Sequence, residues 1–238
     1  MILKLDIKRT FVLFLTMSKG GQTRMLILDD AVAHASEVGL EGLSIGALAT
    51  RLSLSKSGLF AHFGSKEELQ LATLKAAQER FVNKVFVPAL DAPRGLTRIR
   101  TLFQKWFEWL ESPGQPGGCV ILAAAAEYDD RPGLVHDTLL AGQKELRGAI
   151  AKAVRLAIET GELSDDTDPW QLAFELFGIV LAAHHDRHLF DDPRAADRGK
   201  NAIERLLNAH KRDTDAPATR RRKPIRPAGS GDALAVHD

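Results

Sequence analysis

The sequence predicts an all-α protein. Apolar residues recur at helical spacing along most of the 238-residue chain. No Val/Ile/Thr-rich alternating run bounded by turns marks a strand. Gly, Pro, Ser and Asp interrupt the apolar pattern where helix starts and stops belong. A first helix is expected over about Thr23–Val38, with Leu28, Val32 and Ala35 on one face and Gly39 ending it. Ser44 is placed to cap a short helix reaching Leu52. Ser53-Leu54-Ser55 reads as a turn before a third helix over about Lys56–His62. Ser65-Lys66-Glu67-Glu68 is a capping box, in which the Ser hydroxyl and the Glu carboxylate each satisfy an open amide. The helix it starts is expected to run to about Phe86 and stop before Pro88.

The second half predicts helices near Leu96–Leu110, Val120–Glu127, Pro132–Thr160, Pro169–Leu189 and Arg194–His210. Pro132, Pro169 and Pro193 fall at or just before starts, where proline is tolerated. Pro113-Gly114-Gln115-Pro116-Gly117-Gly118 reads as a loop. Phe11-Val-Leu-Phe-Leu15 is too short to span a bilayer, and no small-residue cleavage site follows it. Met1–Thr16 is therefore expected to be an upstream extension with no place in the fold. From Asp213 to Asp238 apolar residues are few, and disorder is expected. That tail holds the basic run Arg220–Pro227, open between a solvated end and added phosphate affinity.

Bulk composition narrows the function classes. Hydrophobic residues make up 45% and charged residues 26%, as in soluble globular proteins. Lys and Arg number 32 against 31 Asp and Glu, a net charge of +1. Nucleic-acid binding would therefore need locally concentrated positive groups. The single cysteine, Cys119, excludes an intramolecular disulfide and a thiolate zinc site, and it suits a reducing cytoplasm as a small buried hydrophobe. His184 and His188 stand one turn apart without a metal-ligand motif, so they read as the polar end of a packed helix. Glu127, Asp129 and His136 read as pocket or surface groups rather than an acid/base set. No nucleophile elbow, P-loop or carboxylate pair is present, and no cofactor or metal is implied.

The span from Ser44 to Phe63 carries the functional signal. Ala49 lets two short helices cross closely, and Ile45, Leu48, Leu54 and Leu59 are expected to fill the wedge between them. A helix so propped can enter the major groove with its leading residues at base edges. Those residues are Lys56, Ser57 and Gly58, none of them acidic. Lys66 and the amide-rich start of the next helix add a phosphate-binding end.

The landmarks Ile27, Ala31, Gly39, Leu43-Ser44, Leu48-Ala49, Leu54-Ser55-Lys56, Leu59-Phe60, His62-Phe63, Ser65-Lys66 and Leu69 resemble the N-terminal domain of TetR/AcrR-type regulators over roughly Gly21–Phe81. Gly117-Gly118-Cys119 to Glu127, then Asp130-Arg131-Pro132-Gly133, resembles the effector half of one subgroup. The resemblance implies a three-helix DNA-binding domain over 21–81 with its helix-turn-helix at 44–63, and a helical effector-binding and dimerisation domain over 82–212. It implies a homodimer on double-stranded operator DNA and a small-molecule effector. It assigns Lys56 and Ser57 to bases and Ser44, His62 and Lys66 to phosphates, with Ser55, Gly58 and Phe60 completing the set. The family usually has Gly where Ser53 stands, a substitution costing up to about 1–2 kcal/mol if the backbone is left-handed there. It also usually has hydroxyl residues where Gly58 and Phe60 stand, so Gly58 keeps only its amide for a phosphate and Phe60 is open to a structural role.

Phe103, Trp106, Phe107, Leu122, Glu127, Phe174 and Phe177 are the candidates for an apolar or aromatic effector pocket. Pro169–Leu189 is apolar on nearly all faces, a pattern that predicts burial all round. With Arg194–His210 it predicts half of a four-helix dimer interface. A helical ligand carrier or small enzyme with an incidental helix-turn-helix is the alternative.

Overall fold

The computed structural model describes residues 18–213; the expectations for Met1–Thr16 and for the tail beyond Asp213 lie outside the described residues. All regular structure among them is helical: α1 (Lys19–Gly42), α2 (Ile45–Arg51), α3 (Lys56–Phe63), α4 (Lys66–Phe81), α5 (Val87–Asp91), α6 (Leu96–Leu110), α7 (Val120–Glu127), α8 (Leu134–Glu159), α9 (Pro169–Leu189) and α10 (Ala195–Ala209). One antiparallel bridge, Leu163 to Lys211, ties the loop after α8 to the end of α10.

Caps set most of the boundaries. Ser44, Ser55 and Ser65 accept the amides of Ala47, Gly58 and Glu68 at 3.2, 3.0 and 3.1 Å. The box at Ser65 is only half formed. The Ser65 amide donates to the Phe63 carbonyl at 2.8 Å, which leaves it no need of the Glu68 carboxylate. Gly39 interrupts α1 with φ 78° and ψ 162°, so the regular helix ends near Val38 as expected. Ser53 adopts φ 54°, the left-handed turn usually given to glycine.

Pro88 does not end the fourth helix. The chain passes from α4 through a π turn, Val82–Phe86, into α5, and the Val87 amide donates five residues back to Val82. The wider turn takes up the clash between a proline ring and the carbonyl four residues before it.

The helices form two packed groups sharing a core. In the N-terminal group α1 packs on α4, and α3 is wedged between α2 and α4. Leu43, Leu48, Leu59, Phe63 and Leu69 are buried there. Leu54, expected in this wedge, is instead exposed on the turn, and Leu43 takes the inner place. In the second group α8, α9 and α10 pack in sequence, with α6 against α8 and α10. Its centre is aromatic. Phe103 stacks on Trp106 at 5.8 Å, and Phe81 and Phe177 meet Trp106 edge-on at 5.0 and 5.8 Å. α7 lies against α1 and joins the two groups.

The apolar α9 is not buried all round. Trp170, Phe174 and Leu181 stand on one exposed stripe, with open space at Gly178 between them. Among the described residues nothing covers that face.

Candidate nucleic-acid interface and the junction behind it

The turn at Ser53 and the cap at Ser55 launch α3 across α2. Leu59 and Phe63 anchor it inward, which rotates Lys56, Ser57, Gly58, Phe60 and Ala61 to solvent. Phe60 is 55% exposed, a large apolar area for a free surface. No acidic residue interrupts 52–63. The Lys56 side chain lies back over Gly46 at the start of α2, where a Cβ would meet its Cε at 3.4 Å. His62 is half-buried beside Phe63. Ser44 and Ser55 each use one lone pair of the hydroxyl oxygen as a cap acceptor, and Ser55 Oγ also lies 3.3 Å from Ser57 Oγ.

Lys66 is not free. Its Nζ donates to Glu41 Oε1 at 2.9 Å. Glu41 is a hub: its Oε2 accepts the Tyr128 hydroxyl at 2.9 Å and the Gln70 amide at 3.4 Å, and Arg131 stands 4.0 Å away. The Lys66 ammonium, then the Tyr128 hydroxyl, hold the Glu41 carboxyl below the usual carboxylate range. Burial, then the Glu41 carboxylate, push the Tyr128 phenol upward.

Glu127, expected in an effector pocket, sits at this junction. Its Oε2 accepts the Leu40 and Glu41 amides at 2.9 and 3.1 Å. The Gly39 backbone makes room: a Cβ there would overlap the Glu127 carboxylate. The expected loop before α7 is also a docked element. The Gly117 amide donates to Ser36 Oγ at 3.2 Å, and a Cβ on Gly117 would run into the α1 backbone at Ser36–Glu37. Two residues on, the Cys119 amide donates to His184 Nε2 on α9 at 3.1 Å. α7 is thus pinned at one end to α9 and at both ends to α1. Sequence reading misses Glu41, Gln70, Tyr128 and Ser36; the Tyr128-Asp-Asp-Arg131 stretch after α7 is the only local signal.

The pocket candidates divide. Phe103, Trp106 and Phe177 come together in the aromatic centre. Leu122 is buried on α7. Phe107 packs beneath Gly199 and, with Phe103, floors an open groove of about 380 Å³ between α6 and α10. Phe174 stays outside all of these at 62% exposure, because it shares the outer stripe of α9 with Trp170 and Leu181.

His184 carries a pH signature. Burial, then the neighbouring His188 and His185, push its pKa down to about 4 from the ordinary 6.5. The neutral ring accepts the Cys119 amide; a protonated Nε2 cannot. Between these values the unfolded chain binds a proton that the folded chain does not. The His184 contribution is therefore complete above about pH 6.5 and lost as pH falls toward 4. His184→Gln keeps an acceptor without titrating, so its melting temperature should fall less steeply over that window than the wild type's. Equal slopes in thermal melts would contradict the assignment.

Comparisons with known proteins agree with this geometry. The family model described as "Bacterial regulatory proteins, tetR family" matches residues 27–73, and "Tetracyclin repressor-like, C-terminal domain" matches 95–203. The uncharacterized HTH-type transcriptional regulator YezE of Bacillus subtilis (strain 168) is 30% identical over 155 residues, 62% of this chain and 77% of that one. A TetR transcriptional regulator from Chloroflexus aurantiacus J-10-FL superposes with a TM-score of 0.74 at 26% identity, covering 82% of this chain and 98% of that chain. AibR, solved in complex with isovaleryl coenzyme A and operator DNA, gives 0.62 at 20% identity, covering 79% and 97%; at that identity the likeness is one of fold.

Proposed function

The chain belongs to the TetR family of bacterial DNA-binding transcriptional regulators, and from that premise we propose a cytoplasmic repressor that holds a palindromic operator as a homodimer and releases it on binding a small apolar or aromatic effector. One observation carries the DNA-reading assignment. The run Lys56-Ser57-Gly58 is exposed at the leading end of a capped helix, with no acidic group on that face. Lys56 and Ser57 face bases in this reading, with Ser44, Ser55, Gly58, His62 and Lys66 toward the backbone. Phe60 offers apolar surface to a sugar or a thymine methyl. The DNA-binding domain spans 21–81 and the effector and dimer domain 82–212. Selection of bound duplexes from a random pool is expected to recover a palindrome; enrichment of single half-sites only, or none, would refute the reading.

Lys66 reaches phosphate by exchanging Glu41 for it. Lys56→Ala with Lys66→Ala should weaken binding and flatten the dependence of log affinity on log salt, by about 1 for each phosphate left without its lysine. An unchanged slope would remove both residues from the interface.

The exposed α9 stripe supports the dimer. Trp170, Phe174 and Leu181 form the kind of uncovered apolar face that a two-fold mate buries. Light scattering at micromolar concentration should give a dimer mass, and Phe174→Glu a folded monomer with much weaker operator binding. A monomeric wild type would end this part of the proposal. AibR supports the effector arm only by showing that the fold accommodates a small ligand and DNA together.

A further inference from the structure

We propose that the effector is an organic acid, its anionic head held by Arg147 and its apolar body lying against Phe177 and the aromatic layer around Trp106. The inference rests on the effector-released reading above and adds the chemical class of the ligand.

Arg147, on α8, places its guanidinium carbon 3.8 Å from the centre of the Phe177 ring on α9. Its Nε is buried and has no hydrogen-bond partner. Among the described residues no carboxylate pairs with it, and burial alone lowers its pKa. The ring face offsets part of the desolvation cost. It supplies no in-plane acceptor for the buried Nε–H, and a buried donor left without a partner costs stability. The Trp106 indole, whose ring meets Phe177 edge-on, carries a second buried N–H without an oxygen or nitrogen acceptor. Trp106 is 1% exposed, so water does not serve it from bulk.

Two side chains that each carry an unpartnered buried donor thus meet the one Phe177 ring. A carboxylate meets a guanidinium through two parallel N–H···O bonds, and an alkyl or aryl body suits the surface of Phe177 and Phe103. A neutral ligand would leave the Arg147 charge uncompensated in a drier site than before. The apolar candidates seen in the sequence, Phe103, Trp106 and Phe177, then form the body of the site, with Arg147 as the specificity-determining residue that sequence reading misses.

The test uses octanoate and 2-naphthoate, each paired with its primary amide, on the full-length chain. At millimolar concentration at least one acid should raise the melting temperature, by roughly 5 °C or more once it exceeds Kd a hundredfold, while its amide does little. The same acid should release selected operator DNA. Arg147→Met should lose both responses yet still bind DNA, and its unliganded melting temperature should hold or rise because the uncompensated cation is gone. Arg147→Lys should keep part of the response. Amides as effective as acids, acids still active on Arg147→Met, or a wild type indifferent to both acids would overturn the proposal. So would conversion of Arg147→Met to a folded monomer, which would assign the guanidinium to the subunit interface. Failure of the wild type to bind any DNA would instead sink the regulator reading, so the two failures are distinguishable.

Discussion

Gly39→Ala is expected to destabilise the protein by about 3–5 kcal/mol and to abolish tight operator binding. Two causes act together. The backbone at φ 78° and ψ 162° lies in a region essentially reserved for glycine, worth about 1–3 kcal/mol. The added Cβ also displaces the Glu127 carboxylate, which accepts two amides from the chain turning out of α1. Charge-assisted bonds of this kind are worth about 1.5–3 kcal/mol each, and orphaned amides add to the loss. The consequence for DNA is positional. The turn from Gly39 to Gly42 leads directly into Ser44 and the reading helices, so its attachment to α7 sets their angle to the rest of the molecule. A double-mutant cycle separates strain from displacement. In a Glu127→Ala background the clash is gone, so Gly39→Ala should cost at least about 1 kcal/mol less than in the wild type. Strictly additive costs in denaturant melts would mean that Glu127 does not share the effect.

The uneven legibility of the sequence has a physical basis. Whatever is decided within a few residues can be read: the serine caps at 44 and 65 and the break at Gly39 are local chemistry, whereas Ser55 reads only as part of a turn and the left-handed backbone at Ser53 is raised only by the family resemblance. Pro88 reads wrongly as a stop because its effect depends on whether the helix can widen ahead of it, and the five residues of the π turn carry no cue. The junction is invisible for a different reason. Glu127 lies 87 positions from Leu40, and nothing in the composition of α7 says that its last carboxylate reaches out of the C-terminal half to catch the backbone of the other. The aromatic residues of α9 show the same limit. Phe174 and Phe177 are alike in the pattern, yet one is solvent-facing and the other is in the core, a distinction set by which neighbours α9 meets. Lys66 stands out in the sequence as a positive group near the reading helix, but its Glu41 partner comes from a different helix.

Leu59→Ala carries the second large effect, and it tests whether the reading head unfolds apart from the rest. Leu59 is fully buried where α3 meets α2 and α4, so truncation should cost about 2–5 kcal/mol. The head is built on short helices and has little stability in reserve, since α2 has 7 residues and α3 has 8. Packing on Leu48, Leu59 and Phe63, rather than helix propensity, holds them. Operator binding should therefore vanish. The chain's three tryptophans, 106, 109 and 170, all lie in the second helical group, so intrinsic fluorescence reports that group alone. If the aromatic layer of Phe81, Phe103, Trp106 and Phe177 is self-sufficient, the variant should keep its fluorescence and its melting transition while losing far-UV helical signal and DNA. Simultaneous loss of fluorescence would mean that the ties at Gly117, Glu127 and Tyr128 make both groups one cooperative unit. A rigid junction of that kind would carry an effector's influence to the head as a reorientation, without local melting.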